Sequence, residues 1–271
     1  MSARAALPRV GLHLAAIVLA LWVLVPIYFI TLSAFSTQES VYEYPKQLLP
    51  RDLSTDTMRF FLDSEGIVPS LQRSVIVAGL TLLIALGLGA PAGYALARFA
   101  FRGADGFRLA IVSTRAFPIV ILSIPLAVTF LRWGIDDSVY GVALAHTALA
   151  LPFAVLVTSS VFTGISVELE EAAMTLGCSR ASAVARVIMP LALPGLAAAA
   201  IFVFIISWNE VFAASILTLR NRTLPAQVLA VLNASPLPFR FAGGFFLLAP
   251  SLIVIFVIRK YLFNMWGRVI K

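Results

Sequence analysis

Three stretches of this chain, 10–38, 74–97 and 138–167, contain no formal charge. A bilayer core takes about 20 apolar residues per helix, so each stretch can hold one membrane span. A soluble domain has no means of hiding so much apolar surface when 61% of its residues are hydrophobic and 12% charged, a balance far from the globular average. The expected fold class is therefore all-α, a polytopic membrane protein.

Six spans fit the hydropathy pattern: 11–33, 74–97, 108–131, 139–163, 191–219 and 241–263. Between them lie polar or turn-rich segments. Residues 34–70 carry Pro45, Pro50 and Pro69 with six acids, Glu39, Glu43, Asp52, Asp56, Asp63 and Glu65. A short basic connection follows at 98–107, then a tight turn at 132–138, and a loop at 220–240 with Pro225, Pro236 and Pro238. The chain is read as residues 1–70, one span and an extracytoplasmic loop, followed by a five-span core over 71–271 with a polar insertion at about 165–190.

Orientation is set by where Lys and Arg collect. With the amino terminus inside, the inner set is Arg4, Arg9, Arg98, Arg102, Arg108, Arg180, Arg186, Arg259, Lys260, Arg268 and Lys271. The outer set is the smaller one: Lys46, Arg51, Arg59, Arg132, Arg220 and Arg222. Both termini and the 165–190 insertion are thus expected in the cytoplasm of a prokaryotic plasma membrane. The net charge of +7 follows from this topology and does not call for nucleic acid. The first apolar run is longer than a secretory-signal core and lacks a clean small-x-small site after it, so it is expected to stay as a span.

The insertion at 165–190 has the most informative local pattern. Glu168, Glu170 and Glu171 open a helix, where carboxylates meet the positive end of its dipole. Ala172 and Ala173 make a small, flat surface that another protein can approach. Gly177 suits a left-handed helix stop, and Ser179 is placed to cap a second helix running through Arg180 and Arg186 to Met189-Pro190. Such an element between two spans presents a rigid knob to something in the aqueous phase.

The run Glu171-Ala172-Ala173 with Gly177, and after nine residues Val187-Ile188-Met189-Pro190, resembles the EAA coupling loop of ABC importer permeases. The family form ends in I-x-L-P, so Val187 and Met189 are conservative departures. The segment Ile205-Ile206-Ser207-Trp208-Asn209-Glu210 resembles the W-N-E/D motif in the fifth span of carbohydrate permeases of the maltose-transporter type. Ala92-Gly93-Tyr94-Ala95-Leu96-Ala97-Arg98 and Arg115-Ala116-Phe117-Pro118 resemble the second and third spans of the shorter, six-span partner in such pairs. One departure is Leu176-Gly177-Cys178, where many sugar permeases have Asp-Gly-Ala.

The resemblance implies a type I permease fold, a second permease subunit as heterodimer partner, a dimer of ATP-binding subunits and an extracytoplasmic solute-binding protein. It also implies that Glu170, Glu171, Ala172, Ala173, Leu176, Gly177 and Pro190 face the ATPase. Trp208, Asn209, Glu210 and Arg115 are candidates for the solute pathway, because a charge inside a span tends to face a partner or a watery path. Pairing of Glu210 with Arg115 or with the second permease is the structural alternative. Successive helical residues point about 100° apart, so at most two of residues 208–210 can touch solute. Asn209, whose amide both donates and accepts, is the favoured one.

No G-x-x-x-x-G-K-[ST] phosphate loop is present, so ATP and Mg are expected on a separate ATPase and no cofactor in this chain. No catalytic constellation is evident, and the single Cys178 with the separated His13 and His146 offers no metal site. His146 is expected to hydrogen-bond between helices. The leading expectation is import of a sugar or polyol by alternating access. A non-sugar solute such as glycerol phosphate, an osmolyte or a polyamine is the runner-up. An ion-driven secondary transporter would need coupling groups and inverted repeats not seen here.

Overall fold

The computed structural model describes residues 3–45, 48–49 and 53–266, with side chains over 11–45, 48–49 and 53–257. Of the residues named above, Lys46, Pro50, Arg51, Asp52, Arg268 and Lys271 lie outside the described ones. Among the described residues the chain is helical, apart from one antiparallel bridge between Ser36 and Leu53. Among the described residues five helical segments are long and apolar enough to cross a membrane, and a sixth candidate is a bent pair.

Helix α1, Ala3–Ala34, is apolar and exposed along most of its described length, as a lipid-facing span must be. Its end is followed by a loop holding α2, Asp56–Asp63. The Thr57 hydroxyl donates to the Ser36 carbonyl at 2.8 Å, and the Ser54 N–H to Phe35 at 2.9 Å. Phe61 is fully buried, its ring 4.9 Å from Phe239 and 5.2 Å from Phe246. The described residues of 1–67 with 231–248 form one compact unit.

The other unit comprises the described residues of 68–230 and 249–271. Its core is built on α3, Ile67–Arg98, α6, Val139–Thr163, and α9, Met189–Trp208. Lipid offers no hydrophobic drive between helices, so close packing of small residues takes its place. Gly89 and Gly93, one turn apart, press α3 onto α6. A Cβ on Gly89 would stand 2.9 Å from that of Ala154, and one on Gly93 would collide with the Thr158 hydroxyl. The Thr158 Oγ1 donates to the Gly89 carbonyl at 2.9 Å. Val203 joins Ala85 and Ala150 in one cluster, while Ile188 meets Phe162 in another. The helix α9 therefore runs antiparallel to α3 and α6.

Several expected boundaries are corrected. Expected spans 74–97 and 241–263 start earlier, at Ile67 and, for α12 (Leu237–Trp266), at Leu237. The expected span 108–131 is two helices, α4 (Ala104–Ser113, extended by a 3₁₀ turn to Ala116) and α5 (Ile119–Trp133), bent by 89°. Pro118 is the cause: it disfavours helical backbone at the residue before it, and Phe117 is extended at φ −84°, ψ 120°. The expected span 191–219 also breaks, with α9 ending at Trp208 and α10 covering Phe212–Leu217. Within the 220–240 loop lies α11, Leu224–Val231.

Candidate functional site

The insertion forms α7, Val167–Thr175, and α8, Arg180–Ala183, which passes through a π turn at Val184–Ile188 into α9. Pro190 lies at the start of α9, and its missing N–H loosens the helical ladder next to that wide turn. Ser166 caps α7 by accepting the Glu168 N–H at 3.3 Å. At the other end Gly177 adopts φ +93°. Its N–H donates to Met174 at 3.0 Å, and that of Cys178 donates to Ala173 at 3.1 Å. This double closure is the Schellman arrangement. Ser179 then accepts the Ser182 N–H at 3.3 Å, capping α8.

The candidate coupling residues separate into two faces. Glu171, Ala172, Leu176, Gly177 and Pro190 are exposed, Leu176 at 87%. Glu170 and Ala173 are buried, at 2% and 8%. These two are corrected: their side chains turn inward on the helix and cannot lie on its free face. The Glu170 carboxylate accepts the Tyr94 hydroxyl at 2.6 Å on Oε1 and the Arg98 Nε–H at 3.2 Å on Oε2. Arg180 approaches Oε1 at 3.5 Å, its guanidinium stacked 5.4 Å from the Phe99 ring.

A second cluster lies where α9 breaks. Glu210 Oε1 accepts the Ala213 N–H at 2.8 Å and Oε2 the Ala214 N–H at 2.9 Å, capping α10. His146 Nε2 is 3.1 Å from Oε2, and its Nδ1 is 2.9 Å from the Ser207 hydroxyl. Ser207 in turn lies 3.3 Å from the Thr81 hydroxyl. Glu210 thus pairs with His146 of α6, not with Arg115, and is only 9% exposed. Trp208 is buried and stacks on Phe204 at 5.6 Å. In this conformation neither Trp208 nor Glu210 offers a surface to solute. Asn209 is exposed, its amide donating to the Ile205 carbonyl at 3.0 Å and to Ser251 Oγ at 3.5 Å.

Arg115 sits at the bend between α4 and α5, exposed, with its guanidinium 5.8 Å from the Phe153 ring centre. It borders a largely apolar cleft of about 750 Å³ lined in part by Leu88, Phe107, Thr114, Pro152 and Ile206. Sequence reasoning missed Tyr94 and Arg98 as site residues although both fall in a segment it singled out. The sequence signal was an arginine immediately at the end of a charge-free span. It also missed Asp137, which has φ 46° and accepts the N–H groups of Leu219 at 2.9 Å, Arg220 at 3.1 Å and Asn221 at 3.0 Å. Nothing local in the sequence marked that pairing.

The chain matches the model of a protein family described as "Binding-protein-dependent transport system inner membrane component" over residues 85–265. It is 35% identical over 182 residues to the trehalose transport system permease protein SugB of Mycobacterium tuberculosis, covering 67% of this chain and 66% of that protein. It is 28% identical over 202 residues to the diacetylchitobiose uptake system permease protein DasC of Streptomyces coelicolor, covering 74% and 73%. Among solved structures, a chain of a bacterial ABC transporter involved in the import of the acidic polysaccharide alginate superposes with a TM-score of 0.74 at 23% identity, covering 96% of this chain and 98% of that one.

Proposed function

Since the chain belongs to the family of binding-protein-dependent transport system inner membrane components and is an ABC importer permease, we propose that it carries a sugar or polyol and couples to its ATPase through segment 165–190. The relatives named for trehalose and diacetylchitobiose uptake support the solute class. A second, different permease chain would complete the pathway, and both termini and the coupling segment would face the cytoplasm. ATP and Mg belong to the ATP-binding subunits, and this chain itself does no chemistry.

The observation that carries the coupling reading is the exposed knob of Glu171, Ala172, Leu176 and Gly177 on a stop held by two backbone hydrogen bonds. Leu176, 87% exposed at that helix end, offers a protein partner an apolar contact beside the small surfaces of Ala172 and Gly177. Closure of the ATPase dimer would push on this knob and tilt the spans. Asn209 and Arg115, both exposed, remain the proposed pathway residues, whereas Trp208 and Glu210 would act by holding the broken span in shape.

The test of the solute class is uptake by the full complex in proteoliposomes, preceded by a ligand screen on the cognate binding protein by thermal shift. A sugar or polyol that raises the binding protein's melting temperature and enters the vesicles only with ATP supports the reading. Stabilisation by phosphate esters, amines or osmolytes alone, with no sugar uptake, refutes it.

A further inference from the structure

The coupling segment departs from regular α-helix at both ends. One is the turn Gly164–Ser166 and the other the π turn Val184–Ile188, neither a continuous α-helix. The turn breaks helical continuity with α6 and the π turn widens the entry into α9, so a side-chain tie to another span gives a push on the exposed Leu176 end a second route. Glu170 supplies such a tie. Its carboxylate takes the Tyr94 hydroxyl and the Arg98 Nε–H from the last turn of α3, and Arg98 Nη2 also donates to the Ile165 carbonyl at 2.9 Å. One arginine thereby grips the segment at two points, before α7 and within it.

The grip is dry. The side chains of Arg98 and Glu170 are 4% and 2% exposed, so their attraction is little screened by water or salt. Arg180, stacked on Phe99, closes the other side of the carboxylate. Upstream, Gly89 and Gly93 lock α3 to α6, so a displacement reaching Arg98 moves two spans together.

We propose that Glu170, Tyr94 and Arg98 form a positioning linkage that conveys movement of the coupling segment into α3 and α6, with Glu170 making no contact to the ATPase. This rests on the reading of segment 165–190 as the coupling element. The linkage acts on the ratio of ATP hydrolysed to solute carried, because a loosened segment still docks and still lets the ATPase turn over.

The experiment measures that ratio, together with retention of the ATPase on the purified permease, for the complex in proteoliposomes with its binding protein. Glu170→Gln and Arg98→Gln should each raise the ratio by about tenfold, the scale of one lost hydrogen bond to a charged group, with the ATPase retained. The double variant should be no worse than either single one, since both cut the same link. Tyr94→Phe, which deletes one hydroxyl bonded to the same carboxylate and spares the ion pair, should raise the ratio by up to about tenfold and decides the matter if the charge variants do not assemble. An unchanged ratio in Tyr94→Phe and in any charge variant that assembles overturns the linkage, as does loss of the ATPase from an otherwise folded Glu170→Gln complex. Leu176→Asp separates the two readings: it should release the ATPase. Full retention and normal coupling in Leu176→Asp refutes the coupling-segment reading itself, whatever Glu170 does.

Discussion

Glu210 and His146, 64 positions apart in sequence, meet at 3.1 Å inside the membrane-spanning core. The same carboxylate caps α10 through Ala213 and Ala214. One acid therefore restarts the broken fifth span and ties the restart to the fourth. An acid in a span is costly, and here two backbone donors and an imidazole offset that cost.

Glu210→Ala leaves both N–H groups and the buried imidazole without their acceptor. The expected loss is about 2–4 kcal/mol, a cap plus an unsatisfied buried group. Glu210→Gln keeps an acceptor oxygen and should lose less than half as much. Thermal melting of the solubilised chain followed by size exclusion reads both. Equal melting of Glu210→Ala and the unaltered chain would contradict this role.

Asp137 gives the fold an acid-sensitive point outside the spans. Burial pushes its carboxyl up, but the backbone N–H groups of Asn221, Leu219 and Arg220 together outweigh burial and hold it below the ordinary value. A lowered folded value stabilises the fold above the unfolded value, and that stability is lost as pH falls through the folded one. Asn tolerates the left-handed backbone at this position. The melting-temperature advantage of the native chain over Asp137→Asn should thus be largest near neutral pH and shrink on acidification. A gap that stays constant down to strongly acid pH would sink the claim.

Gly93 is a site of close approach, with Thr158 and the backbone of Ser159 and Val155 against it. Gly93→Val should force α3 and α6 apart, costing about 1–3 kcal/mol as overpacking does, and should lower the yield of folded permease. Gly79, with open space beside it, is the control, and Gly79→Val should have little effect. Similar yields for the two variants would show that the helices do not pack through Gly93.

Cys178, half-buried and the single thiol of the chain, reports orientation. A membrane-impermeant maleimide should spare it in intact cells and modify it in inside-out vesicles stripped of the ATPase. Modification from outside intact cells would reverse the topology.

Much of this architecture was legible because membranes impose simple rules. Charge-free windows located three of the spans, and Gly177 with Ser179 announced a stop and a restart that the backbone adopts. What could not be read was which way side chains face. The helix α7 is too short and too mixed for its pattern to choose a buried side, so Glu170 and Ala173 looked like their exposed neighbours. That choice is made by Tyr94 and Arg98, more than 70 positions earlier. The proline at 118 was visible as a breaker, but not the 89° it produces. His146 was expected to hydrogen-bond between helices, but its partners, Ser207 on α9 and Glu210 in the break that follows, lie more than 60 positions later and could not be named.

In the proposed function the exposed side of segment 165–190 seats on the ATP-binding subunit. A photo-reactive benzoylphenylalanine at position 176, and another at the buried position 173, in the assembled complex measure this directly. An ATPase adduct is expected from position 176 and none from 173, where Ala173 is 8% exposed. Absence of an adduct at 176 in a complex that still transports, or a stronger one at 173, would contradict it.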